Sequence, residues 1–427
     1  MKKIFVLFFP FYFFVNLFSQ EQVSEITISD SQILNLDILI EEALQKNSEL
    51  KAKDFEIKMS EKKVEQEKIF FPSPEIQFMQ EQIPGFNISD GMIKIELMQM
   101  FHLPKKIETM TQLQKYNLEH SGHYYFEKVN EIIYKVKTAY FELWFVQQNI
   151  FLNRETKTVL EKILSSEKEK LSSSQSSLQN VLNTEIEIAK LDNKLLALRE
   201  QEISMKSMLS SLLNRNEKDT LGFATISEEI SFDMGLEEIF EITKSNSFML
   251  KHDSVNIEIG KTMIEMAQNE LYPDFKIGLG YNRIPMDNFS GWQFSVGISL
   301  PFVPWTIEKK YAKIEEEKFS LKMSEKMQQN DLIMTREKIR SLYFKMLSYK
   351  SQFENFQENI LPKYRQLIDI QLIAYQNSKL DFMKLLDSHK MYLEHTMDYF
   401  MIRMNFEQSV AELELECCLV NFKTLKK

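Results

Sequence analysis

Reactive chemistry is sparse in this 427-residue chain. His120, His123 and Glu127 recur at intervals of three and four, which puts two imidazoles and a carboxylate on one helical face, a donor set that suits a transition-metal ion. Any solvated helix surface can carry the same spacing, and no metal site is expected. Met98 and Met100 offer thioethers of the kind that suit Cu(I), yet Met also stands in for Leu in ordinary packing. The sequence has no GxxxxGK phosphate loop, no GxSxG nucleophile turn and no cysteine pair spaced for zinc. Its only cysteines, Cys417 and Cys418, are adjacent and read as free thiols. The chain is expected to catalyse nothing and to need no cofactor.

The elements around these residues are of two kinds. From Pro273 to Pro301, Phe275, Ile277, Leu279 and Tyr281 alternate with Lys276, Gly278, Gly280 and Asn282. Trp292, Phe294, Val296, Ile298 and Leu300 then alternate with Gln293, Ser295, Gly297 and Ser299. Each run predicts a strand of about ten residues with one apolar and one small, polar side, as a tilted strand crossing a bilayer requires. Pro285 and the polar residues up to Gly291 make the turn. Trp292, Phe294, Phe302 and Trp305 fit a lipid-facing band with an interfacial girdle.

An earlier copy of this block lies about two hundred residues upstream, the mark of a duplicated chain. Phe71, Pro72, Ile83, Pro84, Leu103, Pro104, Ile107 and Glu108 recur as Tyr272, Pro273, Ile284, Pro285, Val303, Pro304, Ile307 and Glu308. Eight of the ten prolines and six of the ten glycines fall in or beside the two blocks, so the intervening sequence is free to form long helices.

The segmentation that follows is a signal peptide over 1–19, a first repeat over 20–220 and a second over 221–427. The first contains a helix from Gln32 to Lys68, strands at 73–82 and 92–101, and a long helical hairpin over 104–214. The second contains a helix over 236–270, strands at 273–284 and 291–301, a helical hairpin over 305–415 and a C-terminal tail. Val129, Ile132, Val136, Ala139, Leu143, Val146 and Ile150 step by three and four, a coiled-coil seam. The serine cluster 172–177 and the stretch 377–379 mark the two hairpin tips. On the last helix the seam includes His389, Thr396 and Arg403, which would be tolerated if they kept access to water. Pro362 should kink the rising helix of the second half only.

Lys2 and Lys3 before the apolar run 4–17 read as a secretory signal. With 52 basic against 62 acidic residues and a net charge of −10, nucleic acid is a disfavoured partner. Four strands cannot close a barrel, and open strand edges are not tolerated in lipid. Two, three or four copies must share one, and physics alone does not choose the number.

Taken together, ALQKNSEL at 43–50, FHLPKKIE at 101–108, AYFEL at 139–143, LYPDFKIGLGY at 271–281 and LLD at 385–387 resemble the TolC-like outer-membrane efflux proteins, in the branch serving metal and multidrug exporters. The resemblance implies a mainly α chain with a small β part, assembling as a homotrimer. A twelve-stranded barrel in outer-membrane lipid would stand above a twelve-helix periplasmic tunnel. Cargo would come from an inner-membrane RND-type transporter through a periplasmic adaptor protein. Family tips carry Tyr followed three residues later by Gly; here Tyr375 is followed by Ser378, and Leu171 by Ser174. Of two acids expected beyond the second tip, Asp387 matches one and Lys384 replaces the other, while Asp381 lies beside Leu380, where a basic residue is expected. The implied constriction is therefore Tyr375, Asp381, Lys384 and Asp387. The implied adaptor contacts are Ser172, Ser173, Ser174, Asn377, Ser378 and Lys379. An exit duct for type I protein secretion, or a periplasmic coiled-coil scaffold, remains an alternative.

Overall fold

The computed structural model describes residues 33–69, 72–81, 92–173, 176–216, 221–227, 232, 234–284, 289–377 and 379–419. The expected signal peptide, the Ile83–Pro84 and Pro285 turns, and Ser174 and Ser378 lie outside them. The elements in order are α1 (Leu36–Lys46), α2 (Ser48–Glu67), β1 (Glu75–Glu81), β2 (Met92–Phe101), α3 (Pro104–Ser172) and α4 (Leu178–Leu212). The second half runs α5 (Leu236–Asn246), α6 (Phe248–Asn269), β3 (Phe275–Ile284), β4 (Phe289–Ile298), α7 (Pro304–Asn355), a π-helical turn (Phe356–Ile360), α8 (Leu361–Gln376) and α9 (Phe382–Glu416).

Two expected helices are each broken in two. Asn47 leaves α1 with an extended ψ of 126°, its N–H still reaching the Ala43 carbonyl, while its side-chain amide donates to the carbonyl of Leu212. Ser247 makes the matching break between α5 and α6. A single extended residue barely disturbs the apolar spacing on either side, so periodicity does not report it.

Pro104 and Pro304 stand at the first helical positions of α3 and α7, where a missing N–H is harmless. With no later proline and one glycine, α3 continues for 69 residues, about 100 Å. Pro362 does interrupt the second half. The helix reopens as a π turn just before it, and the Leu361 N–H reaches back five residues to Phe356.

The chain forms two compact units, each drawing segments from both halves of the duplication. One comprises Met1–Ser48, Lys128–Asn246 and Thr335–Lys427. Its buried seam includes Ile132, Val136, Ala139, Leu143, Val146 and Ile150 of α3. Around Ile239, Ile339, Met346, Phe406 and Leu413 a second cluster closes over Cys417. The hydroxyl of Tyr140 donates to the carbonyls of Leu34 and Thr225, pinning the start of α1 to the segment before α5. The other unit comprises Glu49–Glu127 and Ser247–Met334 and contains the sheet. There the helices approach through small contacts, such as the hydrogen bond of Ser60 to Ser121 and that of Asn269 to Thr109.

The polar seam of α9 corrects an expectation. His389, Thr396 and Arg403 are buried within the chain and do not keep access to water. Thr396 donates back to the carbonyl of Tyr392. Arg403 donates to the Ser227 carbonyl at 2.8 Å, pairs with Glu407 at 2.6 Å and lies over the Phe353 ring. Its charge is matched locally, which is what a buried guanidinium needs.

Candidate functional site

Among the described residues four antiparallel strands form one sheet in the order β1-β2-β3-β4, which leaves β1 and β4 as unpaired edges. The register Leu97↔Leu279↔Phe294 and Ile95↔Tyr281↔Trp292 gathers the apolar side chains on one face. Gln77↔Glu96↔Gly280↔Gln293 gathers the polar ones on the other. The burial is inverted relative to a soluble sheet. Trp292 and Ile76 are each 75 % exposed, whereas Glu96 on the polar face is 5 % exposed.

Glu96 is held there by Lys94 at 2.8 Å and accepts a hydrogen bond from Ser295. Gly278 makes that contact possible, since a Cβ at this position would stand 2.6 Å from the Glu96 carboxylate and 2.3 Å from the Ser295 hydroxyl. The glycines of β3 are thus spaces that the long side chains of β2 fill. Met98 and Met100 share this polar face, by register with Gly278 and Lys276. Among the described residues no helix is long and apolar enough to cross a membrane.

The helix tips make a second, separate constellation. Ser177 caps α4 through the Asn180 N–H, and Ser172 and Ser173 return their hydroxyls to the carbonyl of Glu169. The serines end one helix and start the next, the role short hydroxyl side chains play best. Across from them, Asn377 closes α8 with its backbone N–H on Ile373 and Tyr375, and the Lys379 N–H reaches Ala374.

Tyr375 ties the two tips together. Its hydroxyl donates to Glu167 of α3, accepts from Lys170 at 2.8 Å, and its ring lies 4.1 Å from the Lys170 ammonium. Glu167 also accepts from Ser176 and Asn180. Burial would raise the pKa of Glu167, but hydrogen bonds from Ser176 and Tyr375, with the Lys170 charge, hold it below the usual carboxylate range. Burial and the Glu167 carboxylate together push the Tyr375 hydroxyl well above the ordinary tyrosine range. The result is a charged clamp with a fixed proton arrangement at neutral pH.

The other constriction candidates do not join this clamp. Asp381 is the N-cap of α9, accepting from the Met383 N–H. Lys384 and Asp387 are exposed and one helical turn apart on α9. Glu167, Lys170 and Asn180 were not legible as functional residues, and Ser176 was legible only as part of the serine cluster at the tip. The i, i+3 spacing of Glu167 and Lys170 is a weak hint, since such pairs are common on any solvated helix.

His120, His123 and Glu127 do share a face of α3, and the fold brings His252 of α6 against them.

No family model matches the sequence, and no curated protein matches it. Solved structures match by fold. CusC, described for folding and transmembrane channel formation, superposes with a TM-score of 0.77 over 94 % of this chain and 95 % of that one, at 13 % identity. The outer membrane protein VceC from Vibrio cholerae gives 0.74 over 90 % and 95 %, at 14 % identity. The Campylobacter jejuni CmeC outer membrane channel gives 0.75 over 90 % and 85 %, at 13 % identity. At these identities the likeness is one of fold. The chain shares with these three proteins a mainly α fold with a small sheet, the fold its sequence resemblance implied.

Proposed function

We propose that this chain is one subunit of an outer-membrane exit duct, a passive channel of a tripartite efflux system that extends into the periplasm. Three copies would share one twelve-stranded barrel. Metal ions or small toxic compounds would be handed over by an inner-membrane RND-type pump through a periplasmic adaptor. The observation that carries this reading is the inverted sheet, apolar outside and polar inside, with both edges unpaired. In water it would expose an apolar patch larger than monomers tolerate, whereas in lipid it is what the solvent demands. The fold shared with CusC, VceC and CmeC supports the same reading.

Membrane fractionation tests it. The protein should stay with the outer membrane through high-salt and carbonate washes and leave detergent extraction with the mass of three chains. Release into the wash as a single chain would favour the soluble scaffold and end the proposal. Susceptibility profiling of a deletion strain against drugs, metals and secreted polypeptides separates an efflux duct from a protein-secretion duct.

The clamp at the helix tips supplies the gate. Opening would part Tyr375 from Glu167 and Lys170, with Asp381, Lys384 and Asp387 near the entrance, and Ser172–Ser174, Asn377, Ser378 and Lys379 facing the adaptor. Tyr375→Phe removes the hydroxyl that both partners use and should raise open probability in single-channel recordings. Lys384→Asp should increase cation preference. Unchanged selectivity would take Lys384 out of the lumen.

A further inference from the structure

Three of the six histidines of the chain meet at one place, in the unit that contains the sheet. His120 and His123 come from α3 of the first half, and His252 comes from α6 of the second. The ring centroid of His252 lies 4.2 Å from that of His120 and 5.7 Å from that of His123. Tyr124 also lies against His252, with ring centroids 4.1 Å apart.

His252 is 8 % exposed, and neither of its ring nitrogens has a hydrogen-bond partner; Nε2 of His120 is likewise buried and unpartnered. A neutral imidazole carries one donor and one acceptor, and leaving such groups unpaired in the interior is destabilising. Buried orphans of this kind call for an occupant.

We propose that His120, His123 and His252, with Glu127, bind one divalent transition-metal ion of the zinc class. Nitrogen ligands at roughly 2.0–2.1 Å from zinc place the centroids of two coordinated rings roughly 5 Å apart, between the two values here. Oε2 of Glu127 stands 3.5 Å from Nε2 of His252. That is long for a hydrogen bond and close to the roughly 3.3 Å that separates two ligands on one tetrahedral ion.

Among the described residues no three donors yet surround a common point, so binding requires the rings to turn about their Cβ–Cγ bonds. That torsion is broad for imidazole. Nε2 of His123 is 3.7 Å from Glu119, too far for a hydrogen bond to hold the ring. The ion would join a helix of the first half to a helix of the second, apart from any cargo in transit.

Zinc titration of the chelator-stripped, full-length protein in detergent tests this, followed by calorimetry and by the thermal midpoint. One equivalent per chain is expected, with a rise in midpoint, and Co2+ in its place should give the visible bands of a tetrahedral site. His252→Leu, which keeps the packing volume, should lose the equivalent; His123→Asn, on the more accessible side, should weaken binding at least tenfold without disturbing the helical circular dichroism. No stoichiometric zinc, or zinc retained equally by both variants, overturns the site. Neither result depends on whether the chain is an exit duct, which the fractionation decides by itself.

Discussion

His389 shares an apolar pocket with Leu160, Phe382 and Leu386, and burial pulls its pKa down to about 4. An unfolded chain would protonate it near 6.5, so between pH 6.5 and about 4 the unfolded state binds the extra proton and stability falls on acidification. The shift corresponds to roughly 3 kcal/mol across that window, and none of it is lost above pH 6.5. In His389→Leu the thermal midpoint should lose most of its slope between pH 6.5 and 4; an unchanged slope would assign the acid sensitivity to other groups. Cys417 is fully buried, accepts from the Thr243 hydroxyl, and is pushed by burial up to about 12. A maleimide should therefore modify at most Cys418 in the folded protein and both thiols in denaturant. That neither cysteine is in a disulfide was readable from their adjacency. Their difference was not, because it depends on which one α9 turns into the core. The same limit applies to Arg403, whose carbonyl partner at Ser227 lies about 180 residues away in sequence.

Among the elements, the strands were the most legible, because a period of two survives any amount of missing tertiary information. Their solvent is testable. Phe294 is 68 % exposed in mid-strand on the apolar face, and Phe294→Lys should lower the stability of the lipid-inserted protein by about 2–4 kcal/mol. Ser295→Lys, on the opposite face, should chiefly alter conductance. Equal effects of the two in detergent-refolding assays would argue against a lipid-facing side. The long helices were legible too, from the absence of glycine and proline, and at Pro362, where a kink was expected, the helix is interrupted by a π turn. The breaks at Asn47 and Ser247 escaped notice because neither residue is a breaker by type. Both mark places where the chain leaves one compact unit for the other.

At the scale of the whole molecule, neither half of the duplication contains a complete compact unit, because each unit takes segments from both. The pairing of β2 with β3 is likewise a bond between the halves. Either half expressed by itself should be insoluble, while the two co-expressed should give soluble or membrane-extractable protein with the helical circular dichroism of the intact chain; a half that folds alone would contradict this. The unpaired outer strands of the sheet carry a genetic consequence. If three copies close a single ring, no wall can be finished by one chain, and a variant that pairs normally but cannot open spoils every complex it enters. With equal expression of mutant and normal copies, roughly one complex in eight would contain only normal chains, and the defect would behave as dominant in a cell that still carries a working gene.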